Sequence, residues 1–260
     1  MRIDGKALAE AILADLALQV KQLRCTPTLA VILIGNNPES LSYIRQKQKA
    51  TEKIGGRLIF EKLPKTTLSK ELAARVAMYN RDTSVHGLII QRPLPDGLSA
   101  TVDLKKDIDG LTQNSPFDVP VAMAVFTILN HIGITIKNKK VVIVGRGETA
   151  GKPIAAALAK QQCATSIIHS QTPDPAEITK QADIIISCVG KEKVITPAAI
   201  KPGVILVSVG LTRGGDGKLH GDYEEEDIKN IASFYTPTPG GVGPLNIASL
   251  MQNLVLAAQK

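Results

Sequence analysis

Hydrophobic residues in this chain fall in short continuous runs that alternate with amphipathic stretches. Runs such as Val141–Val144 are apolar throughout, a pattern typical of strands that helices cover on both faces. We predict strands at residues 28–35, 57–63, 85–91, 140–145, 164–169, 183–189 and 203–209. We predict helices at residues 5–23, 40–54, 69–80, 120–132, 149–161, 175–181 and 246–259. The alternation indicates an α/β protein with parallel sheets.

Two segments rich in proline and glycine, residues 92–97 and 236–244, interrupt this alternation, and a second series of βαβ units begins near Lys139. We therefore expect two domains with a cleft between them. The first is an N-terminal α/β domain over residues 1–118, and the second is a Rossmann-like NAD(P)-binding domain with a parallel sheet over residues 119–244. We expect the helix within residues 245–260 to complete the first domain, although the local sequence does not reveal this.

Composition excludes several classes of function. The net charge of +7 is spread along the chain, and four Phe, four Tyr and no Trp leave few side chains to stack on bases. We therefore expect no nucleic-acid partner. We attribute the positive charge instead to the binding of an anionic small molecule. No apolar run is long enough to span a bilayer, and the first residues do not resemble a signal sequence, so we expect no membrane association.

The cysteines and histidines point to neither disulfides nor a metal site. Cys25, Cys163 and Cys188 are odd in number and far apart in the sequence, which indicates a reducing cytoplasm. The four histidines also lack the spacing of metal ligands. We expect a cytoplasmic protein without a bound metal.

The strongest chemical signal is the pair Tyr43 and Lys47. Both lie in the helix predicted after the first strand, four residues apart and therefore on one helical face. Open α/β sheets bind ligands beyond the carboxyl ends of their strands, where this helix begins. An aromatic ring can hold a planar substrate, and a lysine with a lowered pKa can move protons. An ordinary amphipathic helix with a solvated lysine would show the same spacing.

A glycine-rich turn follows the strand at residues 140–145. Gly145, Gly147 and Gly151 would let the backbone approach a phosphate at a helix N-terminus, although a tight structural turn remains an alternative. NAD sites usually carry an acidic residue at the end of the next strand, but here His169, Ser170 and Thr172 stand there. With Arg146 in the glycine turn, these groups suit a 2′-phosphate, so we predict NADP as the cofactor and keep NAD as possible.

Three further polar or glycine-rich positions are candidates for the site. Gln91 ends the third strand at the same sheet edge as the Tyr43–Lys47 helix and could orient the lysine without adding charge. Asp109 lies in a loop and could bind two N–H donors of a pterin-like ring. The segment from Pro239 to Pro244 offers a rigid surface with few side chains for a flat ligand. Turn or capping roles would explain each of these equally well.

Together these motifs resemble the bifunctional methylenetetrahydrofolate dehydrogenase/cyclohydrolase (FolD) family over nearly the whole chain. The matching motifs, in order along the chain, are Tyr43-x-x-x-Lys47, Gln91-x-Pro93-Leu-Pro95, Lys106-Asp-Ile-Asp109-Gly110, Gly145-Arg146, His169-Ser170-x-Thr172, Gly217-Lys-Leu-x-Gly-Asp222 and Pro239-Gly-Gly-Val-Gly-Pro244. The resemblance implies that NADP takes a hydride from 5,10-methylenetetrahydrofolate and that water opens the methenyl cation to 10-formyltetrahydrofolate.

The resemblance also implies roles for single residues. Catalysis would rest on Lys47 with Gln91 tuning it, while Tyr43 stacks on the aminobenzoyl ring and Asp109 anchors the pterin. The substrate would also contact Pro239, Gly240 and Gly241. The cofactor positions would be Gly145, Arg146, Gly147, His169, Ser170, Thr172 and Leu211. The family is typically a homodimer, so the resemblance implies one here.

The chain departs from the family pattern at four places. Arg92 replaces a leucine, and it would point away from Gln91 if the strand continued. The segment between Leu111 and Ile128 is shortened and lacks the usual Thr-Pro, Gly147 replaces a serine, and residues 208–212 also differ. A folate- or nucleotide-binding homologue with one or both activities weakened or lost is therefore the alternative. A third possibility is an amino-acid dehydrogenase of similar architecture, but the Tyr43/Lys47 pair argues against it.

Overall fold

The computed structural model describes residues 1–259. Its strands are β1 (Thr28–Ile34), β2 (Arg57–Leu63), β3 (Gly87–Ile90), β4 (Val141–Val144), β5 (Thr165–Ile168), β6 (Ile184–Ser187), β7 (Ile205–Ser208), β8 (Thr212–Arg213), β9 (Leu219–His220) and β10 (Phe234–Tyr235). Its α-helices are α1 (Gly5–Val20), α2 (Pro38–Lys53), α3 (Ser69–Arg81), α4 (Pro120–His131), α5 (Gly151–Lys160), α6 (Pro175–Thr179), α7 (Glu225–Ile228) and α8 (Val242–Ala258). Within these residues, no helix combines the length and apolar character that crossing a membrane requires.

The chain divides into two compact units. One contains Glu10–Pro120 and the residues from Ile247 onward, and the other contains Met1–Ala9 and Val121–Asn246. The first unit holds a parallel sheet of order β2-β1-β3. Its middle strand, β1, is buried at all seven positions, as expected for an apolar strand with a neighbour on each side. This unit is called the β1 unit below.

Apolar residues on one face of the β1 unit's sheet form a core with α3. Ala30, Ile32 and Ile34 of β1 alternate along the strand and are buried with Leu72 and Val76 of α3. This period of two places one side of the strand against the helix. The packing fixes the carboxyl ends of β1 and β3 as a rigid edge.

The second unit, called the β4 unit below, holds a five-stranded parallel sheet of order β10-β7-β6-β4-β5. The chain passes from β4 to β5 on one side and then returns to place β6 on the other side of β4. This reversal of direction creates the crevice in which open α/β sheets bind nucleotides. The fold is therefore the α/β class with the Rossmann-like sheet that the sequence predicts.

Several elements differ from the predictions. β3 ends at Ile90, so Gln91 and Arg92 lie beyond the strand, and α8 begins four residues earlier than expected, at Val242. The strand β10, the β8–β9 hairpin and the helix α7 were not predicted. Residues 1–9 belong to the β4 unit rather than to the first domain, because Ile3 N donates to Tyr235 O at 2.9 Å and Arg2 forms a bridge with that strand.

Candidate active site

The start of α2 is fixed by its own sequence. Asn37 caps the helix by accepting a hydrogen bond from Ser40 N at 2.9 Å, and Pro38 occupies the first turn, where its missing N–H is not needed. The helix then brings Tyr43 and Lys47 onto one face, as their spacing predicts. Tyr43 is half-buried, and Lys47 keeps only 8% of its surface exposed. The lysine therefore does not belong to a solvated helix face.

Gln91 and Lys47 come together as the sequence analysis expected. Lys47 Nζ donates to Gln91 Oε1 at 3.0 Å, and Gln91 Nε2 donates to the carbonyl of Arg92 at 3.0 Å. Ser40 Oγ donates to the same carbonyl at 3.3 Å. The backbone of Arg92 thus fixes which end of the Gln91 amide faces the lysine.

Burial and charge oppose each other at Lys47. Burial lowers the pKa of the Lys47 ammonium, and the negative charge of Asp109 acts in the opposite direction. Burial likewise raises the pKa of the Asp109 carboxyl, while the charges of Lys47 and Arg92 lower it. The structure therefore places Asp109 in the same electrostatic environment as Lys47 and Gln91. Arg92, which we expected to point away from Gln91 if the strand continued, follows a strand that ends at Ile90, and its charge also acts on this carboxyl.

Tyr43 remains a neutral phenol at physiological pH. Burial and the nearby carboxylate of Glu39 both raise the pKa of its hydroxyl above the usual value. A neutral ring beside a buried amine suits contact with a flat organic molecule better than proton transfer.

The shortened segment after Asp109 forms a tight, well-bonded loop. Asp107 Oδ2 accepts from Thr112 N at 2.9 Å, and its carbonyl accepts from Ser115 Oγ at 3.2 Å. Asn253 of α8 donates to the carbonyls of Ile108 and Asp118, each at 2.8 Å, and so bonds to both sides of the loop. The loop that carries Asp109 is therefore held at both ends despite its reduced length.

In the β4 unit, the glycine turn packs too closely for side chains. Gly145 has a φ of 103°, and a Cβ there would lie 2.9 Å from the carbonyl oxygen of Cys188. A Cβ at Gly151, the first residue of α5, would lie 2.1 Å from the carbonyl oxygen of Gly145. Gly147 differs, because a Cβ there would meet nothing within 4 Å. The turn leads directly into the N-terminus of α5, where free N–H groups favour a phosphate.

The loop after β5 is hydrogen-bonded to this glycine turn. Arg146 Nη2 donates to Gln171 Oε1 at 3.2 Å, which joins the two loops. His169 N donates to Thr172 Oγ1 at 2.9 Å, and Ser170 is exposed beside them. The guanidinium and hydroxyl groups that we singled out for a 2′-phosphate thus lie in neighbouring loops at one sheet edge.

Sequence reasoning noted Asp222 in a motif but gave it no role. Its carboxylate is fully buried and accepts hydrogen bonds from Ser187 Oγ at 2.6 Å and from the backbone N–H groups of Val189, Gly190 and Lys191 at 3.0, 2.7 and 3.0 Å. The three backbone donors lie in the loop after β6, and Ser187 is the last residue of that strand. The only sequence signal was an aspartate after a hairpin glycine, and its partners lie more than 30 residues away.

The segment at Pro239 is fixed by its own backbone and by the chain's N-terminus. Gly240 has a φ of 104°, and a Cβ at Gly241 would lie 2.5 Å from the carbonyl oxygen of Pro237. Lys6 N donates to the carbonyl of Gly240 at 3.0 Å, and a Cβ at Gly5 would lie 2.0 Å from the carbonyl oxygen of Gly241. Gly240 is therefore favoured by its positive φ, whereas Gly5 and Gly241 are required by close backbone contacts.

A cluster that the sequence did not suggest surrounds His220. His220 Nε2 pairs with Asp216 Oδ1 at 3.0 Å. A ring nitrogen of His220 and one carboxylate oxygen from each of Glu192 and Glu224 also lie within 4.8 Å of one another. These carboxylates raise the pKa of the His220 imidazole. The cluster is therefore a histidine surrounded by acidic side chains.

Comparison with known proteins identifies the family. The model of the tetrahydrofolate dehydrogenase/cyclohydrolase catalytic domain matches residues 3–109, and that of the NAD(P)-binding domain matches residues 120–260. A protein named bifunctional protein FolD from Lacticaseibacillus casei is 39% identical, over 100% of this chain and 98% of the relative.

Solved structures agree with this match. The bifunctional FolD enzyme from Campylobacter jejuni superimposes with a TM-score of 0.95 at 34% identity, covering 100% of this chain and 98% of that one. The FolD enzyme from Trypanosoma brucei, complexed with NADP cofactor and inhibitor, gives a TM-score of 0.93 at 30% identity, with coverages of 100% and 97%. With both domain models matched along its length, this chain belongs to the tetrahydrofolate dehydrogenase/cyclohydrolase family.

Proposed function

We propose that this protein oxidises 5,10-methylenetetrahydrofolate with NADP to the 5,10-methenyl cation and then hydrolyses the cation to 10-formyltetrahydrofolate. Family membership over the whole chain supports both steps. The observation that carries the proposal is the buried Lys47 ammonium hydrogen-bonded to the neutral Gln91 amide. No observation favours a homologue without activity.

The dehydrogenase step needs alignment more than acid–base chemistry. NADP, when bound, supplies the acceptor for the hydride that leaves the methylene carbon. The glycine turn fits such a group, because Gly145 and Gly151 leave the backbone bare at the start of α5. Arg146 and Ser170 bind the 2′-phosphate, and His169 and Thr172 shape its loop. Gly147 and Leu211 complete the proposed cofactor contacts.

The hydrolytic step uses Lys47. A water molecule attacks the methenyl carbon and loses one proton to Lys47. The hydroxyl group left on that carbon then loses its proton as the carbon–oxygen double bond forms, the bond from the carbon to N5 breaks, and N5 takes up one proton. The balance is one water consumed and one proton released. An ordinary lysine, with a pKa of about 10.4, is protonated at neutral pH and cannot accept a proton. The lowered pKa of Lys47 supports its role as a base.

The remaining roles are proposed from the family resemblance and the local chemistry. Tyr43 stacks on the aminobenzoyl ring of the substrate, and Asp109 accepts hydrogen bonds from pterin N–H groups. We propose Pro239, Gly240 and Gly241 as further substrate contacts. Gln91 orients Lys47 without adding a charge of its own beside the ammonium.

We also propose that the protein is a cytoplasmic homodimer. The three cysteines are free, which fits a reducing compartment. The proposal of a dimer rests on the family resemblance. Sedimentation of the purified protein, which measures its oligomeric state, tests it.

One absorbance assay tests the function. Methenyltetrahydrofolate formation is followed from methylenetetrahydrofolate with NADP or NAD, and the decay of added methenyl substrate is followed separately. We expect formation with NADP and enzyme-accelerated decay. Lys47→Met should abolish the accelerated decay while folate binding stays measurable. Continued hydrolysis in that variant would remove Lys47 from the mechanism, and folded wild-type protein without either activity would favour the binding homologue.

A further inference from the structure

The cluster around His220 brings together side chains from separate segments of the β4 unit. Glu192 lies in the loop after β6, His220 ends the strand β9, and Glu224 follows that strand by four residues. All three residues are half-buried, and their nitrogen and oxygen atoms converge within 4.8 Å of one another. None of them belongs to the proposed catalytic or cofactor-binding residues.

The backbone around this cluster is braced by hydrogen bonds. Asp222 lies midway between the histidine and the second glutamate of the cluster, and its carboxylate accepts from Lys191 N at 3.0 Å. Ile195 N donates to the carbonyl of Asp222 at 2.9 Å. The backbone on both sides of Glu192 is therefore tied to the segment that carries the other two side chains.

Gly214, in the β8–β9 hairpin, allows the side chains to converge. A Cβ at this position would lie 2.7 Å from His220 Cδ2, 2.8 Å from Glu192 Oε1 and 2.9 Å from Asp216 Oδ1. Any larger residue would therefore displace the imidazole and both carboxylates. The absence of a side chain at Gly214 leaves the space that the cluster occupies.

Asp216 fixes the orientation of the histidine ring. His220 Nε2 pairs with Asp216 Oδ1 at 3.0 Å, and His220 Nδ1 lies 3.9 Å from Glu224 Oε1. When Nε2 donates to Asp216, a neutral imidazole keeps its lone pair on Nδ1, the nitrogen nearer to Glu224. Histidines that bind metals commonly donate their other ring N–H to a carboxylate in this way.

The charge of the cluster favours a cation. Within residues 1–259, Asp216 and Glu224 form ion pairs with His220, and no lysine or arginine forms an ion pair with either of them or with Glu192. With a neutral imidazole, the four side chains therefore carry three neighbouring negative charges. A divalent cation between them would relieve their mutual repulsion.

The donor atoms indicate which kind of cation fits. One imidazole nitrogen with carboxylate oxygens suits Zn²⁺ and related transition metals, whereas Mg²⁺ and Ca²⁺ prefer oxygen ligands alone. Zinc bonds to nitrogen and oxygen of about 2.0–2.2 Å place tetrahedral ligand atoms roughly 3.4 Å apart. Atoms that lie within 4.8 Å of one another reach this spacing through small movements of the two glutamate side chains.

We propose that Glu192, His220 and Glu224 bind one divalent transition-metal ion such as Zn²⁺, with Asp216 holding the histidine ring. The ion joins the loop after β6 to the segment that follows the β8–β9 hairpin. We expected no metal from the spacing of the histidines, and a site with a single histidine leaves no such spacing. The proposal does not depend on the proposed function.

The first test measures Zn²⁺ binding to the purified full chain by isothermal titration calorimetry, after a chelator has removed bound metals. We expect one ion per chain, loss of binding in His220→Gln, and about tenfold to hundredfold weaker binding in Asp216→Asn, as for partners that orient a ligating histidine. His131→Gln removes an exposed histidine of the same unit and should bind like the wild type. A wild type that binds no Zn²⁺, or a His220→Gln variant that binds it normally, overturns the proposal.

A second test identifies the ligands, because Cys25 Sγ and His86 Nε2 lie 3.5 Å apart and could also attract Zn²⁺. Co²⁺ is the probe, since a thiolate ligand adds an intense near-ultraviolet absorption that nitrogen and oxygen ligands lack. We expect visible Co²⁺ bands without this absorption, unchanged in Cys25→Ser and lost in Glu192→Gln. Circular dichroism of the metal-free variants checks that they are folded. A thiolate absorption that disappears in Cys25→Ser would place the ion at Cys25 and refute the proposed site.

Discussion

Lys47 Nζ and Gln91 Oε1 are 3.0 Å apart, and they join a helix that follows β1 to the residue that follows β3. The partner of the buried ammonium is thus a neutral amide, and the charge of Asp109 acts as a secondary influence. A neutral acceptor orients the lysine without the strong rise in pKa that a carboxylate partner would cause. This arrangement leads to the first prediction.

Replacing Gln91 with Glu should move cyclohydrolase activity to higher pH. A carboxylate beside Lys47 favours the charged amine and raises its pKa, and each unit of that shift lowers the neutral fraction at pH 7 by about tenfold. Gln91→Leu removes the hydrogen bond without adding charge and should reduce the rate with no alkaline shift. The measurement is the pH profile of methenyltetrahydrofolate hydrolysis, corrected for the reaction without enzyme. Identical profiles in the two variants would contradict a tuning role for Gln91.

Lys47 should also make folding stability depend on alkaline pH. Burial lowers the pKa of Lys47 in the folded protein below its ordinary value of 10.5, so the unfolded chain binds more protons between the folded pKa and 10.5. Stability contributed by this group therefore rises with pH across that window. Relative to Lys47→Met, the wild type should gain about 1.4 kcal/mol for each unit of the shift.

Urea denaturation between pH 8 and pH 10.5 measures this difference. Lys21→Met serves as the control, because Lys21 is exposed and should leave the pH dependence unchanged. Parallel stability curves for the wild type and Lys47→Met would show that Lys47 titrates alike in both states.

Gly147→Ser should strengthen NADP binding. A Cβ at Gly147 would meet nothing within 4 Å, and the added hydroxyl can donate to a cofactor phosphate beside Arg146. We expect KM for NADP to fall by about tenfold, because a hydrogen bond to a charged group contributes about 1.5 kcal/mol at the lower end of its range. Gly147→Ala adds the Cβ without the hydroxyl and is the matched control. If Gly147→Ser and Gly147→Ala change the KM for NADP equally, the change comes from the backbone and not from the hydroxyl.

Asp222→Asn should destabilise the β4 unit. The carboxylate accepts three successive backbone N–H groups and the Ser187 hydroxyl, two on each oxygen. In Asn an amide nitrogen replaces one of these oxygens and cannot accept either of its two hydrogen bonds. Leaving buried donors unpaired costs about 1–3 kcal/mol. Thermal unfolding should show this loss, whereas Asp227→Asn, at an exposed carboxylate, should stay within about 0.5 kcal/mol of the wild type. An Asp222→Asn variant that unfolds at the same temperature as the wild type would mean that water replaces these hydrogen bonds.

The local pattern predicted the strands and the Tyr43–Lys47 face because both depend on short periodicities. Apolar runs such as β4 and β6 are buried at every position, as continuous hydrophobicity implies. The placement of Gln91 near Lys47 also followed from topology, since parallel strands end at one sheet edge. For these features, local sequence carried enough information.

Other features depend on partners far along the chain. The strand β10 has two residues, too few to show a period, and it exists because it pairs with β7. Asp222 acquires its role from donors 31 to 35 residues before it. Arg92 affects Asp109 because β3 ends one residue earlier than the apolar run suggested. Strand ends and distant hydrogen bonds are decided by tertiary packing.

The contact between Gly5 and the Gly241 carbonyl has a consequence for the order of folding during synthesis. Residues 1–9 have distant backbone partners at Ser233, Tyr235 and Gly240, which are synthesised more than 200 residues later. Until then, Ile3 and the first turn of α1 have no β4-unit surface to cover them. Completion of the β4 unit therefore waits for residues 233–241, and a ribosome stalled before residue 233 would leave residues 1–9 open to chaperones and proteases.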